Sequence, residues 1–281
     1  MLESLYKSDL YIIAAGIGSR MGGDIPKALV QLTDTPNITT TLKQSSGKFK
    51  NVYIVINEEN NTQIQWNNWM EITSEMFPDL VRNVQLVPIK SGLGDGHAVL
   101  EAIYKIENLT DSLEDIVICW GDVFFPYSET FDEILSCKDL QQFSNKETTM
   151  VGIMPVVYEP HPYVTIDIDG DVVKGAYFSK WNEHPPGDEN TLKPHDQSIF
   201  RFNRALIKEA LEQIHNATFR NGTYASHGEL SLLFSFHYTF NAGKGTIFHY
   251  TSNYPTMSFN TPAEVQYIQR QIDERWNDKF K

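Results

Sequence analysis

The stretch LYIIAAGIGSRMGGDIPKAL, residues 10–29, decides the fold. Its first part, Leu10–Ala15, is a short, continuous apolar run, which indicates a strand buried on both faces of a sheet. A glycine-rich segment, Gly16–Gly23, follows directly. Ligands of open α/β sheets bind beyond the carboxyl ends of the strands, and glycines let main-chain N–H groups approach phosphate oxygens closely. The junction therefore predicts an anion-binding loop.

Three further apolar runs repeat the strand pattern: Val52–Ile56, Val84–Pro88 and Ile116–Trp120. The stretches between them have helical periodicity, which is regular over Asp95–Ile106 and less regular over Ile64–Phe77. Strands that alternate with helices predict an α/β fold, with a Rossmann-like mixed, mainly parallel sheet sandwiched by helices.

The pattern changes from about Met150. Alternating residues over Val164–Ile168 and Val172–Phe178 flank a turn, which predicts a β-hairpin. A capping box with proline at the first helical position predicts a helix that begins at Thr261. The remaining predictions are a loop over His184–His195, strands over Ser198–Phe202 and Gly245–Tyr250, and helices over Arg204–His215 and Gly228–Tyr238.

Composition limits the partners. The net charge of −13, from 36 acidic and 23 basic side chains, disfavours broad contact with nucleic-acid phosphates or an anionic membrane. We therefore expect small-molecule partners, no nucleic acid and no membrane. The two cysteines, Cys119 and Cys137, form no disulfide framework and favour a reducing, cytoplasmic compartment. The oligomeric state stays open, a homo-oligomer included.

Two common glycine motifs do not fit this loop. A dinucleotide-binding G-x-G-x-x-G would place its third glycine at Met21. A P-loop would need glycine before its lysine and Ser or Thr after it, but Lys27 stands between Pro26 and Ala28. What remains is a strand followed by GIGSRMGGDIPKAL.

This segment resembles the GxGxRxxxxxPKxL signature of the nucleotidyltransferase superfamily, which includes sugar-phosphate uridylyl-, cytidylyl- and guanylyltransferases. The resemblance implies that the loop holds a nucleoside triphosphate, that Arg20 meets its β and γ phosphates, and that Lys27 contacts the α-phosphate under attack. The nucleotide-binding residues implied in the loop are Ala14, Ala15, Gly16, Gly18 and Ser19.

A second element, SGLGDGHAV at residues 91–99, is similar to the GxGHAV segment with which the family holds nucleobase and ribose. The resemblance implies that Gly94, Gly96 and His97 bind the nucleotide. The residues alone also allow a simpler interpretation, in which Asp95 caps an amphipathic helix.

Two separated residues are implied as metal ligands. Asp122 follows the fourth predicted strand in the family's Gly-Asp pattern, and Asn260 opens an NTPxE-like element near the end of the chain. The resemblance implies that both bind the catalytic Mg²⁺. Magnesium uses one or two protein ligands beside waters and substrate phosphates, so this pair is chemically sufficient.

The acceptor side matches the family less closely. Relatives that use sugar phosphates often carry Glu-Lys after the hairpin, whereas this chain has Ser179-Lys180 and keeps the lysine alone. Glu229 lies in a stretch that resembles a segment touching the acceptor. Lys180 and Glu229 are thus the candidate acceptor-binding residues.

The resemblance implies one nucleotidyltransferase domain over residues 1–281. Its parts are an NTP-binding part (1–125), an acceptor-binding part with the hairpin (126–244), and a closing strand and helix (245–281). The implied reaction moves a nucleoside monophosphate from an NTP, CTP or UTP first, to a phosphorylated small acceptor and releases pyrophosphate. A sugar phosphate is the leading acceptor class.

Other functions stay open at this point. Ser179 leaves room for a cytidylyltransferase that acts on a phosphorylated alcohol or amino acid. A glycosyltransferase of related architecture usually carries D-x-D after the fourth strand, where this chain has Asp122-Val123-Phe124. A non-catalytic nucleotide sensor would be expected to have lost Lys27 or the metal ligands.

Overall fold

The computed structural model describes residues 8–16, 18, 21–22, 25–90, 92–108, 115–137, 150–160, 162–181, 183, 191–225, 227–241, 243, 245–276 and 279. The strands are β1 (Asp9–Ile13), β2 (Val52–Asn57), β3 (Val84–Ile89), β4 (Asp115–Trp120), β5 (Val123–Phe124), β6 (Met150–Glu159), β7 (Val164–Asp169), β8 (Val172–Phe178), β9 (Lys193–Asp196), β10 (Ile199–Asn203), β11 (Phe219–Arg220), β12 (Thr223–Tyr224), β13 (Thr246–Thr251) and β14 (Met257–Ser258).

The α-helices are α1 (Asn37–Ser45), α2 (Asn60–Met76), α3 (Pro78–Val81), α4 (Asp95–Glu107), α5 (Glu129–Ser136), α6 (Arg204–Thr218), α7 (Phe234–Asn241) and α8 (Pro262–Arg275). Short 3-10 turns cover Lys27–Leu29 and Ser179–Trp181. In the part of the chain that the structure describes, no helix has the length and apolar character to cross a bilayer.

Both halves of the chain contribute to a ten-stranded sheet of order β3-β2-β1-β4-β10-β6-β13-β8-β7, with β9 paired to β6. Strands β1 to β4 are parallel, as the four apolar runs predict. Only β8, β9 and β10 run against the other described strands of this sheet. The prediction of a mixed, mainly parallel sheet is confirmed.

Helices cover both faces of the sheet. Strand β1 shows why its run is continuously apolar: Leu10 and Ile12 enter one core cluster, and Tyr11 between them enters the other. The first cluster also contains Ile38 from α1 and Trp66 from α2, whereas the second is packed by the buried faces of α4, α6 and α7. Alternate side chains of a strand point to opposite faces, so a strand covered on both sides must be apolar throughout.

In the second half of the chain, some of the predictions from the sequence are confirmed and others are wrong. The hairpin is β7–β8, and Thr261 begins α8 with a capping box that it forms with Glu264. The loop predicted over His184–His195 is wrong at its end, because β9 starts at Lys193; Pro194 is tolerated there because β9 pairs with β6 alone among the described strands. Residues 184–190 of that loop lie outside the described residues.

The helix predicted over Gly228–Tyr238 begins only at Phe234. The reason is a competing set of main-chain hydrogen bonds. Leu230 donates its N–H to Leu93 O and accepts from Gly96 N, so this segment is held by residues 93–96 at the start of α4. Strand β6 and helices α1 and α5 were not predicted from the sequence.

Candidate active site

The carboxyl ends of β1 and β4 lie side by side and bring the glycine-rich loop to Asp122. Gly121 makes this approach feasible: its N–H donates to Ile13 O at 2.9 Å, and an added Cβ would lie 2.9 Å from the Ala14 Cβ and 3.1 Å from the Ala28 Cβ. A larger residue would push the Lys27 turn away from Asp122. Close packing against Ala14 and Ala28 therefore explains why a glycine precedes Asp122.

A buried amide fixes the backbone around Asp122. The Asn37 side chain is fully buried and its Nδ2 donates to Gly121 O at 3.0 Å and to Val123 O at 2.9 Å. Asn37 thus holds the carbonyls on both sides of Asp122. Sequence reasoning missed this residue, since a single buried amide on α1 has no motif to mark it.

The closing element brings Asn260 to the same place. Strand β14 pairs with β5, and Phe259 N donates to Asp122 O at 3.0 Å. The Glu264 carboxylate accepts from Asn260 N at 2.6 Å as part of the capping interactions of α8. The capping box that the sequence predicts therefore also orients a candidate metal ligand.

The Lys27 ammonium joins the two predicted metal ligands. Its Nζ donates to Asp122 Oδ2 at 2.8 Å and to Asn260 Oδ1 at 2.7 Å. The Lys27 side chain is 16% exposed and that of Asp122 is 27% exposed, so the interaction is partly shielded from water. Lys27, Asp122 and Asn260 come from three distant motifs, and the contacts of Lys27 with the other two bring them together in one site.

These residues lie in a cleft of about 790 Å³. The wall contains the described residues of the predicted nucleotide loop and both predicted acceptor residues. The predicted residues that line it are Ala14, Ala15, Gly16, Gly18, Lys27, Gly94, Asp122, Lys180, Glu229 and Asn260. Ser19 and Arg20, also predicted for this site, lie outside the described residues.

The oxygens of Asp122 and Asn260 suit a divalent cation. Asp122 Oδ2 and Asn260 Oδ1 both accept from the Lys27 ammonium, so the two oxygens are directed at one position. Among the described residues there is no group of three or more His, Cys, Asp or Glu side chains that could hold a metal ion. A hard cation with few protein ligands and several phosphate or water ligands, such as Mg²⁺, fits this donor set.

Gly96 and His97 lie behind the cleft wall, unlike Gly94. The His97 Nδ1 is 2.7 Å from the Tyr224 hydroxyl, and its ring stacks on Phe219 at 6.2 Å between centroids. Burial lowers the pKa of His97, which keeps the imidazole neutral. The structure therefore gives the His97 side chain a packing position behind the wall, and its contact with nucleotide stays a prediction.

On the acceptor side, Lys180 and Glu229 form an ion pair at the cleft. The Lys180 ammonium also lies 4.2 Å from the centroid of the Trp181 ring. Ser179, where sugar-phosphate relatives often carry glutamate, bonds the Tyr163 carbonyl at 2.9 Å. Glu229 thus supplies a carboxylate next to Lys180 from a different part of the chain.

Sequence reasoning also missed a polar row on the β6–β9 pair. His195 Nε2 lies 3.3 Å from Glu159 Oε1, and both residues line the cleft together with Asp196. Burial raises the pKa of Asp196, whose carboxylate accepts from Ser198 N at 2.8 Å. No local motif marks this row because it arises from the pairing of two distant strands.

Comparison with known proteins gives a consistent result. The family model of the MobA-like NTP transferase domain matches residues 10–145. The chain is 26% identical over 165 residues to the bifunctional protein GlmU of Jannaschia sp. (strain CCS1), which is 59% of this chain and 32% of that protein. It is 34% identical over 118 residues to GlmU of Ruthia magnifica subsp. Calyptogena magnifica, 40% of this chain and 21% of that protein. The chain thus spans about a third or less of these relatives.

Solved structures resemble nearly the whole chain. A UDP-glucose pyrophosphorylase complexed with UDP-glucose has a TM-score of 0.68 at 14% identity, over 95% of this chain and 99% of that one. HddC from Yersinia pseudotuberculosis complexed with GMP-PN has a TM-score of 0.60 at 15% identity, over 94% and 99%. At such low identity these likenesses show a shared fold. The family match over residues 10–145 and the sequence similarity to GlmU support the resemblance of this chain to the nucleotidyltransferase superfamily.

Proposed function

We propose that this protein transfers a nucleoside monophosphate from an NTP, with UTP and CTP as the first candidates, to a phosphorylated small acceptor and releases pyrophosphate. The observation that carries the proposal is the convergence of Lys27, Asp122 and Asn260 in one cleft. A non-catalytic nucleotide sensor would not need a lysine in contact with two candidate metal ligands.

The glycine-rich loop supplies the triphosphate side. Main-chain N–H groups near Gly16 and Gly18 can face phosphate oxygens without a basic surface, which suits a chain of net charge −13. Lys27 places one cation at the same point and would stabilise the charge on the α-phosphoryl group. The proposed role of Arg20, on the β and γ phosphates, rests on the resemblance alone.

Asp122 and Asn260 would hold Mg²⁺. The ion would supply charge neutralisation for the phosphates of the two substrates. The protein's own part is to keep the two oxygens together, which it does through Asn37, the β5–β14 pair and the capping interactions of α8.

The reaction is an in-line displacement at the α-phosphorus. An oxygen of the acceptor phosphate forms the new P–O bond, the bond between the α-phosphorus and the bridging oxygen to the β-phosphate breaks, and the electron pair leaves with pyrophosphate. The nucleophile is already an anion, so no general base is needed. The contributions of the protein are therefore positioning and charge stabilisation.

A sugar phosphate is the proposed acceptor. Lys180 offers a cation for the acceptor phosphate, and Glu229 beside it offers carboxylate oxygens that hydroxyl groups can donate to. The structural neighbour complexed with UDP-glucose, which has a sugar joined to a nucleotide, supports this choice. Two further proposals follow from composition: a cytoplasmic location and no nucleic-acid partner.

The test is a matrix of ATP, GTP, CTP and UTP against glucose 1-phosphate, mannose 1-phosphate, glycerol 3-phosphate and phosphoserine, with Mg²⁺. Pyrophosphate release and product mass are the readouts. We expect pyrophosphate release with one of the four NTPs, and a sugar nucleotide as the product. Activity only with glycerol 3-phosphate or phosphoserine would move the acceptor to the phosphorylated alcohol or amino acid class.

Two other outcomes would contradict the proposed chemistry. No pyrophosphate from any pair, together with a thermal shift by one NTP, would favour a nucleotide sensor. Transfer of glucose from UDP-glucose to an alcohol, with release of UDP and no pyrophosphate, would favour a glycosyltransferase.

A further inference from the structure

Two loops of the cleft wall are bonded to one another through their main chains. We call residues 92–96, which include the first two residues of α4, the base loop, and residues 228–232 the acceptor loop, after their predicted ligands. Leu230 N donates to Leu93 O at 2.8 Å, and Gly96 N donates to Leu230 O at 2.9 Å. The two loops thus form a short ladder although neither contains an assigned strand.

The Asp95 carboxylate extends this ladder. Its Oδ1 accepts from Leu232 N at 2.7 Å. The N-cap position of α4 is Gly94, which has no side chain to cap the helix. The carboxylate therefore bonds a different loop, and this corrects the simpler expectation that Asp95 serves as the cap of its own helix.

The glycines on both sides of Asp95 are needed for this contact. A Cβ on Gly94, whose φ is +96°, would overlap the carbonyl of Leu230. A Cβ on Gly96 would lie 2.8 Å from Leu232 N and from Ser231 C. The Gly-Asp-Gly sequence is thus built for close approach of the acceptor loop.

The contact joins the two predicted halves of the site. Gly94 and Asp95 line the cleft on the predicted nucleotide side. Glu229 directly precedes Leu230, lines the cleft and pairs with Lys180. A movement of the base loop must therefore move the main chain next to Glu229 or break the three hydrogen bonds.

We propose that Asp95 is a positioning residue that transmits nucleotide binding from the base loop to the acceptor loop and so places Glu229 for the second substrate. This inference rests on the proposed function. The Asp95 carboxylate is kept beside the cleft although burial raises its pKa to about 6. A partly buried charge of this kind is costly, which agrees with a role beyond folding.

The test is hydrogen–deuterium exchange of the whole chain with each of ATP, GTP, CTP and UTP in the presence of Mg²⁺. Peptides that cover residues 10–18 report nucleotide binding, and those that cover 229–233 report the acceptor loop. In the wild type, the NTP that protects 10–18 is expected to slow exchange at 229–233 at least threefold.

Variants separate transmission from folding. Asp95→Ala removes the acceptor of the Leu232 N–H but leaves the two main-chain bonds of Leu230, so it should clearly weaken the response at 229–233 while protection at 10–18 remains. Asp95→Asn retains an oxygen acceptor and should restore the response. Asp273→Ala, on the exposed face of α8, is the matched control and should behave as the wild type. Melting curves establish that each variant is folded.

The outcomes are distinct. An Asp95→Ala chain that transmits as well as the wild type overturns the inference. So does a wild type in which the NTP protects 10–18 without any change at 229–233. If no NTP protects residues 10–18, the proposed function itself is contradicted and the inference falls with it.

Discussion

The Lys27 Nζ lies 2.8 Å from Asp122 Oδ2, although the two residues are 95 positions apart in the chain. The same Nζ is 2.7 Å from Asn260 Oδ1, across 233 positions. A metal ion bound by both oxygens would therefore lie close to the position of the Lys27 ammonium. This arrangement gives the first three predictions.

Replacement of Lys27 by methionine is expected to lower kcat about a hundredfold or more, because the α-phosphoryl charge loses its cation while the side chain keeps its length. The measurement is pyrophosphate release at saturating substrates. Lys43→Met, at an exposed position on α1, is the matched control and should keep the wild-type rate. A Lys27→Met enzyme with near-normal kcat would remove Lys27 from the chemistry.

The same variant should bind a divalent metal more tightly without nucleotide. The ammonium and the metal compete for the oxygens of Asp122 and Asn260, and like charges at this distance repel. We expect Mn²⁺, followed by its effect on water proton relaxation, to bind Lys27→Met at least several-fold more tightly than the wild type. Equal or weaker Mn²⁺ binding would contradict the competition.

Asn260→Asp should lower the Mg²⁺ concentration needed for half-maximal activity by several-fold, since a carboxylate is a stronger ligand for a hard cation than an amide oxygen. Asn260→Ala should raise that concentration. The backbone contacts of Asn260 with Glu264 do not involve the substituted atoms, so the site should persist. Identical Mg²⁺ titrations for all three proteins would exclude Asn260 as a ligand.

Asn37→Ala is expected to reduce the free energy of unfolding by about 2–4 kcal/mol, because two buried carbonyls lose their donor. It should also lower kcat, since these carbonyls flank Asp122. Urea unfolding and pyrophosphate release are the measurements, and Asn61→Ala at an exposed position on α2 is the control. A loss of stability with unchanged kcat would show that Asp122 does not depend on this support.

These residues show what the sequence could and could not predict. Lys27, Asp122 and Asn260 each lie in a local motif, and the continuous apolar runs predict β1 to β4 because a strand covered on both faces can bury only apolar side chains. The capping box at Thr261 predicts the start of α8, since its hydrogen bonds lie within a single turn.

What the sequence missed depends on distant partners. Asn37 bonds carbonyls 84 and 86 positions away, and Pro194 lies in a strand only because β6 passes beside it. Residues 228–233 contain apolar residues at helical spacing, but the main-chain bonds of Leu230 to the base loop outweigh that local preference. The hydrogen bond of the His97 ring with Tyr224 likewise joins residues 127 positions apart, and no local pattern marks it.

The last prediction concerns pH and Asp95. Burial raises the pKa of its carboxyl from 3.8 to about 6, so between these values the folded protein holds a proton that the unfolded chain has lost. By linkage, the contribution of this group to stability falls as the pH rises from about 4 to 6 and stays low above that. Asp95→Asn has no proton to lose but keeps an acceptor for the Leu232 N–H.

We therefore expect Asp95→Asn to gain free energy of unfolding relative to the wild type as the pH rises, by up to about 2–3 kcal/mol at pH 7.5 compared with pH 4. Urea unfolding of both proteins at several pH values is the measurement. The exposed Asp273→Asn substitution should show no such gain. If the difference in free energy of unfolding between Asp95→Asn and the wild type stays constant across this pH range, the ionised carboxylate does not destabilise the folded protein. The role of Asp95 as a positioning residue would then lose the support that this energetic cost gives it.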